Sequence, residues 1–239
     1  MTVCIAAICG NEGGLPASVI GAADRMLTAT DVEFEPLQTK IVTLTSSIAL
    51  MMAGDAFSQA EIIQRVSEQV HARVQAAPKD WLSVKYVAEL YSTEYNQLRT
   101  RRSEKKLLAP LGLDSTSFLT RQQELAGGLV DNLASELINY PHLGVSAIVT
   151  GVDISGPHIY TIEDGEVRCH DMVGFASIGV GYWHADSQCM LWGHTRNRPF
   201  QETLYLVYLA KKRAEIAPGV GEATDMFMIG PLLGSYVSV

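Results

Sequence analysis

Val3 to Cys9 and Val19 to Asp24 are two nearly unbroken apolar runs, each strand-length, with no polar face. A strand of this kind has no side to give to water, so its sheet must be covered on both faces. The Gly- and Pro-containing stretch between them, Gly10 to Ala17, predicts the loop of a hairpin. Ile41 to Leu44 and Ile48 to Ala53, joined by Thr45, Ser46 and Ser47, predict a second hairpin that is again apolar on both faces.

Helices follow the hairpins. Ile62, Val66, Val70 and Val74 recur every four residues after Asp55, which supplies an N-cap. Beyond Pro78 a second helix is predicted from Val84 to about Arg102. Residues 103–123 read as irregular and polar, and a further helix as Leu125 to Asn139, stopped by Pro141. The second half repeats the order: strands at Ser146–Asp153, His158–Glu163 and Val167–Met172, helices at Tyr182–Trp192 and Phe200–Ala214, and a strand at Thr224–Ile229. The tail from Pro231 stays unassigned. This order predicts helices on both faces of two sheets. At 239 residues the chain fits a single domain, 1–239, with 47% hydrophobic and 18% charged residues to build a core.

The formal net charge of -8 argues against nucleic acid as a partner, because phosphate binding needs clustered Lys and Arg. The basic run Arg99, Arg101, Arg102, Lys105 and Lys106 reads as a solvated helix end. The four cysteines form no C-x-x-C pair, and His170, Asp171 and His184 show no ligand spacing, so neither a disulfide framework nor a metal is expected. The Val3–Cys9 run is too short for a membrane helix and is not preceded by basic residues, which gives a cytoplasmic, membrane-free expectation. The GVGEA stretch at 219–223 lacks the strand and helix context of a phosphate loop and reads as a turn.

Three residues carry a chemistry when taken together. Removal of Met1 would give Thr2 a free α-amino group beside its hydroxyl. A terminal amine, with an ordinary pKa of about 7.7–8.0, is a base suited to activating that hydroxyl at neutral pH. Asp24 ends the second strand and Lys40 begins the third. Each alone is an ordinary strand-end charge; with Thr2 they supply a cation that lowers the amine pKa and a carboxylate that orients the cation.

TVCIAAI, VIGAADRM, QTKIVTL and ALMMAGDA, followed by a helix, resemble the opening of a proteasome β-subunit. The MT-x-C start and the strand ending in Ala-Gly are also similar to Anbu, the bacterial proteasome-like family. The likeness is closest over residues 2–75, includes the separation of 16 residues between Asp24 and Lys40, and has no counterpart around 99–141, which is taken as an insertion. The resemblance implies an α+β, four-layer αββα sandwich of the N-terminal-nucleophile hydrolase type. It implies catalytic Thr2, Asp24 and Lys40, an oxyanion donor in the backbone N–H of Met51, and no cofactor. It further implies a homo-oligomer (a ring or helical stack), a peptide or amide substrate, and a possible ATPase partner. This chain departs from the family at Met51, where active subunits have glycine. It departs again at Val180 and Ala214, in place of a supporting serine and aspartate, with Glu215 next door. These departures keep two alternatives in view, a non-catalytic ring or scaffold subunit and a non-peptide amidase.

Overall fold

The computed structural model describes residues 2–10, 17–29, 32–230 and 235–238. Met1 and the predicted loop residues 11–16 therefore lie outside the described residues. Strand β1 (Cys4–Cys9) pairs antiparallel with β2 (Ser18–Asp24), and every residue of both strands is buried. The doubly apolar pattern leaves no alternative, since neither face can be hydrated at low cost. A short ribbon follows, β3 (Leu27–Ala29) with β4 (Val32–Phe34). The second predicted hairpin forms as β5 (Ile41–Thr45) and β6 (Ile48–Gly54).

Helix α1 (Ala56–Ala76) begins where Asp55 accepts the Ser58 N–H at 2.8 Å. Its stripe of Ile62, Val66 and Val70 is buried, whereas Val74 is 39% exposed, so the packed face ends one turn before the helix does. α2 (Val84–Ser103) packs beside it. With Ile48, Leu50 and Val149, these helices form one apolar cluster on β6 and β7 (Val145–Asp153). Strands β8 (Gly156–Glu163) and β9 (Glu166–Cys169) complete a five-stranded antiparallel sheet in the order β5-β6-β7-β8-β9.

The segment expected to be irregular, 103–123, is instead mostly helical. It holds a π-turn at Glu104–Leu108, 3-10 turns at Ala109–Leu111 and Gln122–Glu124, and α3 (Ser115–Thr120), followed by α4 (Gly127–Ile138). Pro110 and Gly112 break the segment into pieces too short to show a helical period, and Asp114 restarts it through a capping box with Ser117. Leu108, Leu113, Phe118 and Leu133 give these helices a cluster of their own.

In the C-terminal half, β10 (Phe175–Ile178) pairs with β1, and β11 (Thr224–Gly230) pairs with β2 and with β12 (Ser235–Ser238). The order of this sheet is β10-β1-β2-β11-β12, antiparallel throughout. Helices α5 (Tyr182–Leu191) and α6 (Phe200–Ala214) pack on it against Ile5, Ala7, Ile20 and Ala22. A third cluster joins Cys4, Ala6 and Ile8 of β1 to Met51 and Ala53 of β6 and to Ile148 of β7.

These elements correct the expected four-layer αββα sandwich of the N-terminal-nucleophile hydrolase type. The described chain is a mixed α+β protein with two five-stranded antiparallel sheets and six α-helices. The β3–β4 ribbon is a third sheet, and the helices between Glu104 and Ile138, with a separate core, fall outside any four-layer scheme. Strands β3, β4, β10 and β12, of three or four residues each, are too short to show an alternation and were not expected as strands. Among the described residues no helix is long and apolar enough to cross a membrane.

The β7–β8 hairpin is tied to α2 by Asp153, whose carboxylate accepts the Val84 N–H at 3.0 Å and the Ser155 N–H at 2.8 Å. Burial pushes this carboxyl up, but the bonds from Ser155 and Val84 outweigh burial and hold it below its ordinary value. Asp153→Ala is expected to lower stability by about 1–2 kcal/mol in urea unfolding at neutral pH, the usual loss for a helix cap. A folded carboxyl held below its unfolded value of 3.8 contributes fully above that pH and loses its contribution as the pH falls through the folded value. The gap between wild type and Asp153→Asn is therefore expected to close in acid.

Candidate active site

Thr2, Asp24 and Lys40 come from the three places where the first sheet, its hairpin end and the second sheet meet. Thr2 precedes β1. Asp24 is the last residue of β2, brought level with the start of β1 by the register Cys4↔Ala23 and by the bond from its own N–H to the Val3 carbonyl at 3.2 Å. Lys40 stands just before β5, where its carbonyl accepts the Met52 N–H at 3.2 Å.

The three side chains touch. The Lys40 ammonium donates to the Asp24 carboxylate at 2.9 Å and also to the Thr2 hydroxyl, which in turn donates to the same Asp24 oxygen. All three are buried: Thr2 is 2% exposed, Asp24 0% and Lys40 8%. A buried carboxylate is tolerated only when its lone pairs are filled. Asp24 meets that requirement. Oδ1 takes Thr2, Lys40 and the Val3 N–H at 3.0 Å; Oδ2 takes the Met26 and Gly221 N–H groups, each at 3.0 Å.

The main chain fixes Thr2 from the other side. Its carbonyl accepts the Gly181 N–H at 3.2 Å. Gly179 has φ +88° and lies so close that an added Cβ would sit 2.3 Å from the Thr2 carbonyl oxygen, so only glycine fits this approach. Val180, between these glycines, is exposed. Ala214 is fully buried. The neighbouring Glu215 carboxylate is engaged by Lys211 and Lys212. The two support positions therefore bring no polar group to Thr2.

Met51 lies elsewhere. Its side chain is fully buried in the cluster between the sheets. The Met52 N–H points to Lys40, on the β5 side, so the alternation of an antiparallel ladder turns the Met51 N–H to its partner Ile148 on β7. The structure thus gathers Thr2, Asp24 and Lys40 and leaves Met51 in the interior of the second sheet.

Three participants escape sequence reasoning. Cys4 lies beside the trio, its thiol donating to the Met52 carbonyl at 3.3 Å, and burial pushes its pKa up to about 12, with Lys40 opposing the shift. It is therefore a neutral wall and not a nucleophile. Arg25 forms a paired contact with Asp225, with Nε 2.9 Å from Oδ2, next to the site. Gly221 holds the second oxygen of Asp24 from the far end of the chain, a contact that no local pattern signals.

His170 and Asp171 are taken up by Thr161 and His158, and the described residues contain no group of His, Cys, Asp and Glu able to hold a metal ion. Lys40→Met leaves the Asp24 charge buried and unpaired, and is expected to cost about 3–5 kcal/mol in denaturant unfolding. Asp24→Asn combined with Lys40→Met is expected to recover part of that loss; a double variant as unstable as the sum of the singles would show that the two groups are not coupled. Compared with known proteins, the chain matches no family model and no curated sequence.

Proposed function

We propose that the chain is a threonine-type N-terminal-nucleophile amidohydrolase, a peptidase working in a proteasome-like homo-oligomer in the cytoplasm. The observation that carries this reading is the Thr2 hydroxyl, held between the Lys40 ammonium and the Asp24 carboxylate at the start of β1. With Met1 removed, the Thr2 amine takes the hydroxyl proton, directly or through one water. Oγ attacks the substrate carbonyl, and the proton passes to the departing amine as the C–N bond breaks. Water then takes the acyl group from Oγ and restores the hydroxyl. Lys40 favours the neutral amine by its charge and stabilises the oxygen as it becomes anionic. Asp24 holds Lys40 in place. The chemistry requires no cofactor.

A second reading, a non-catalytic scaffold subunit, is favoured by the apolar Val180 and Ala214 and by the burial of Thr2. A non-peptide amidase would use the same trio on another amide. Intact mass of natively expressed protein and labelling by a peptide epoxyketone separate these readings. The amidohydrolase reading expects a chain that begins at Thr2 and takes one equivalent of label. Thr2→Ala is expected to abolish labelling without unfolding, and Lys40→Ala to slow it about 100-fold or more in the fraction that remains folded. Retention of Met1 leaves no amine beside the hydroxyl and hands the lead to the scaffold. Cleavage of simple amides without peptides would favour the amidase.

The assembly has a candidate contact face. α1 exposes few large apolar side chains, chiefly Phe57 and Val74. α5 and α6 expose Trp183, Met190, Leu191, Tyr205 and Tyr208. Apolar surface of this kind favours burial against another copy. Light scattering is expected to give a multimer at micromolar concentration, and Trp183→Glu with Tyr205→Glu to dissociate it; a stable wild-type monomer would overturn the proposal.

A further inference from the structure

Among the described residues, one buried lysine lies outside the trio. Lys211, on the last turn of α6, is 0% exposed. Its ammonium donates to the carbonyls of Gly221 and Glu222, each at 2.8 Å, and to the Glu215 carboxylate. These are three acceptors for three protons, so the charge is fully bonded where water is excluded. Burial pulls its pKa down, while Glu215 and the more distant Asp24 charge pull it up.

The two carbonyls it grips belong to the turn between α6 and β11. That turn carries the Gly221 N–H, which donates to Asp24 at 3.0 Å. The other donor to the same oxygen, Met26, is only two residues from Asp24 and follows its backbone. Gly221 is thus the one contact that fixes this oxygen from outside the β2 end, among the described residues. The approach is tight on its other side too. A Cβ at Gly221 would sit 1.8 Å from a Glu35 carboxylate oxygen, and that carboxylate accepts the Ala223 N–H at 3.1 Å.

We infer that Lys211 is a positioning residue for the Thr2 site, acting through the Gly221 peptide on the Asp24 carboxylate. By pinning the 221–222 turn it holds the Gly221 N–H on Oδ2. That fixes the rotation of the carboxylate and keeps Oδ1 aimed at Thr2 and Lys40. The catalytic half of this assignment rests on the amidohydrolase reading above; the structural half does not.

Two measurements on the full chain test it: hydrogen exchange at the Gly221 amide, and the kinact and KI for a peptide epoxyketone. In wild type the Gly221 amide is expected to be protected. Lys211→Met removes the ammonium and keeps the stem. It is expected to speed Gly221 exchange at least ten-fold and to lower kinact at least ten-fold while KI stays within two-fold. A general loss of packing would raise exchange throughout and would not spare KI. A folded Lys211→Met with unchanged Gly221 exchange and unchanged kinact overturns the assignment. Should that variant not fold, Lys211→Leu, which also removes every donor, is judged by the same numbers. An unprotected Gly221 amide in wild type overturns the assignment without any variant. A wild-type chain that takes no label fails the amidohydrolase reading, and the exchange measurement alone then decides whether Lys211 fixes Asp24.

Discussion

Asp24 is a carboxylate with no exposed surface, and so expensive a group can exist there only because five donors converge on it. Those donors come from Thr2 and Val3 just before β1, from Lys40 before β5, from the Met26 turn, and from the turn before β11. No other residue of the site collects contacts from so many separated parts of the chain. Removing any one donor leaves part of a buried charge unanswered. The positions of both sheets at this end of the molecule, and of the α6–β11 turn, are therefore conditions for a single ionised group.

The trio is also a product of how the sheets share their apolar cluster. Thr2 and Asp24 belong to the first sheet, but Lys40 leads into the second. Cys4, Ala6 and Ile8 on one side, with Met51, Ala53 and Ile148 on the other, set the distance across which the lysine must reach. Interiors are packed to near crystalline density, so the packing of this cluster bears on where Lys40 sits against Asp24. Stability and site geometry are thereby linked through the same apolar contacts.

Much of this was legible in the sequence where the signal was local and strong. The runs at Val3–Cys9, Val19–Asp24, Ile41–Leu44 and Ile48–Ala53 became β1, β2, β5 and β6 because a doubly apolar strand has few other fates. The Ile62–Val66–Val70 stripe became the buried face of α1 for the same reason. What was missed lacked a local pattern. The four residues of β10 show no period, and the pieces between Glu104 and Glu124 are each a turn or two long. The Gly221 contact reaches Asp24 across 197 positions of the chain, a distance no spacing rule covers. Met51 was judged by its alignment with a glycine and not by ladder phase. The phase, set by the Met52 bond to Lys40, sends its N–H to β7.

The apolar support positions now have a physical account. A side chain that holds a residue at the start of a strand competes with water and must lose rotamer freedom to do so. Backbone groups already ordered by a sheet pay little of that cost. Here Thr2 is held mainly by such groups. The Gly181 N–H takes its carbonyl, the Val3 N–H is taken by Asp24, and the Asp24 N–H returns to the Val3 carbonyl. Gly179 allows the β10 turn to close on Thr2 without side-chain bulk. With the backbone placing Thr2, its hydroxyl bonds with Lys40 and Asp24, and a valine and an alanine can stand at the flanking positions without loosening it. The arrangement trades adjustable side-chain contacts for a rigid peptide frame, so the geometry of the hydroxyl follows from strand register more than from the chemistry of its neighbours.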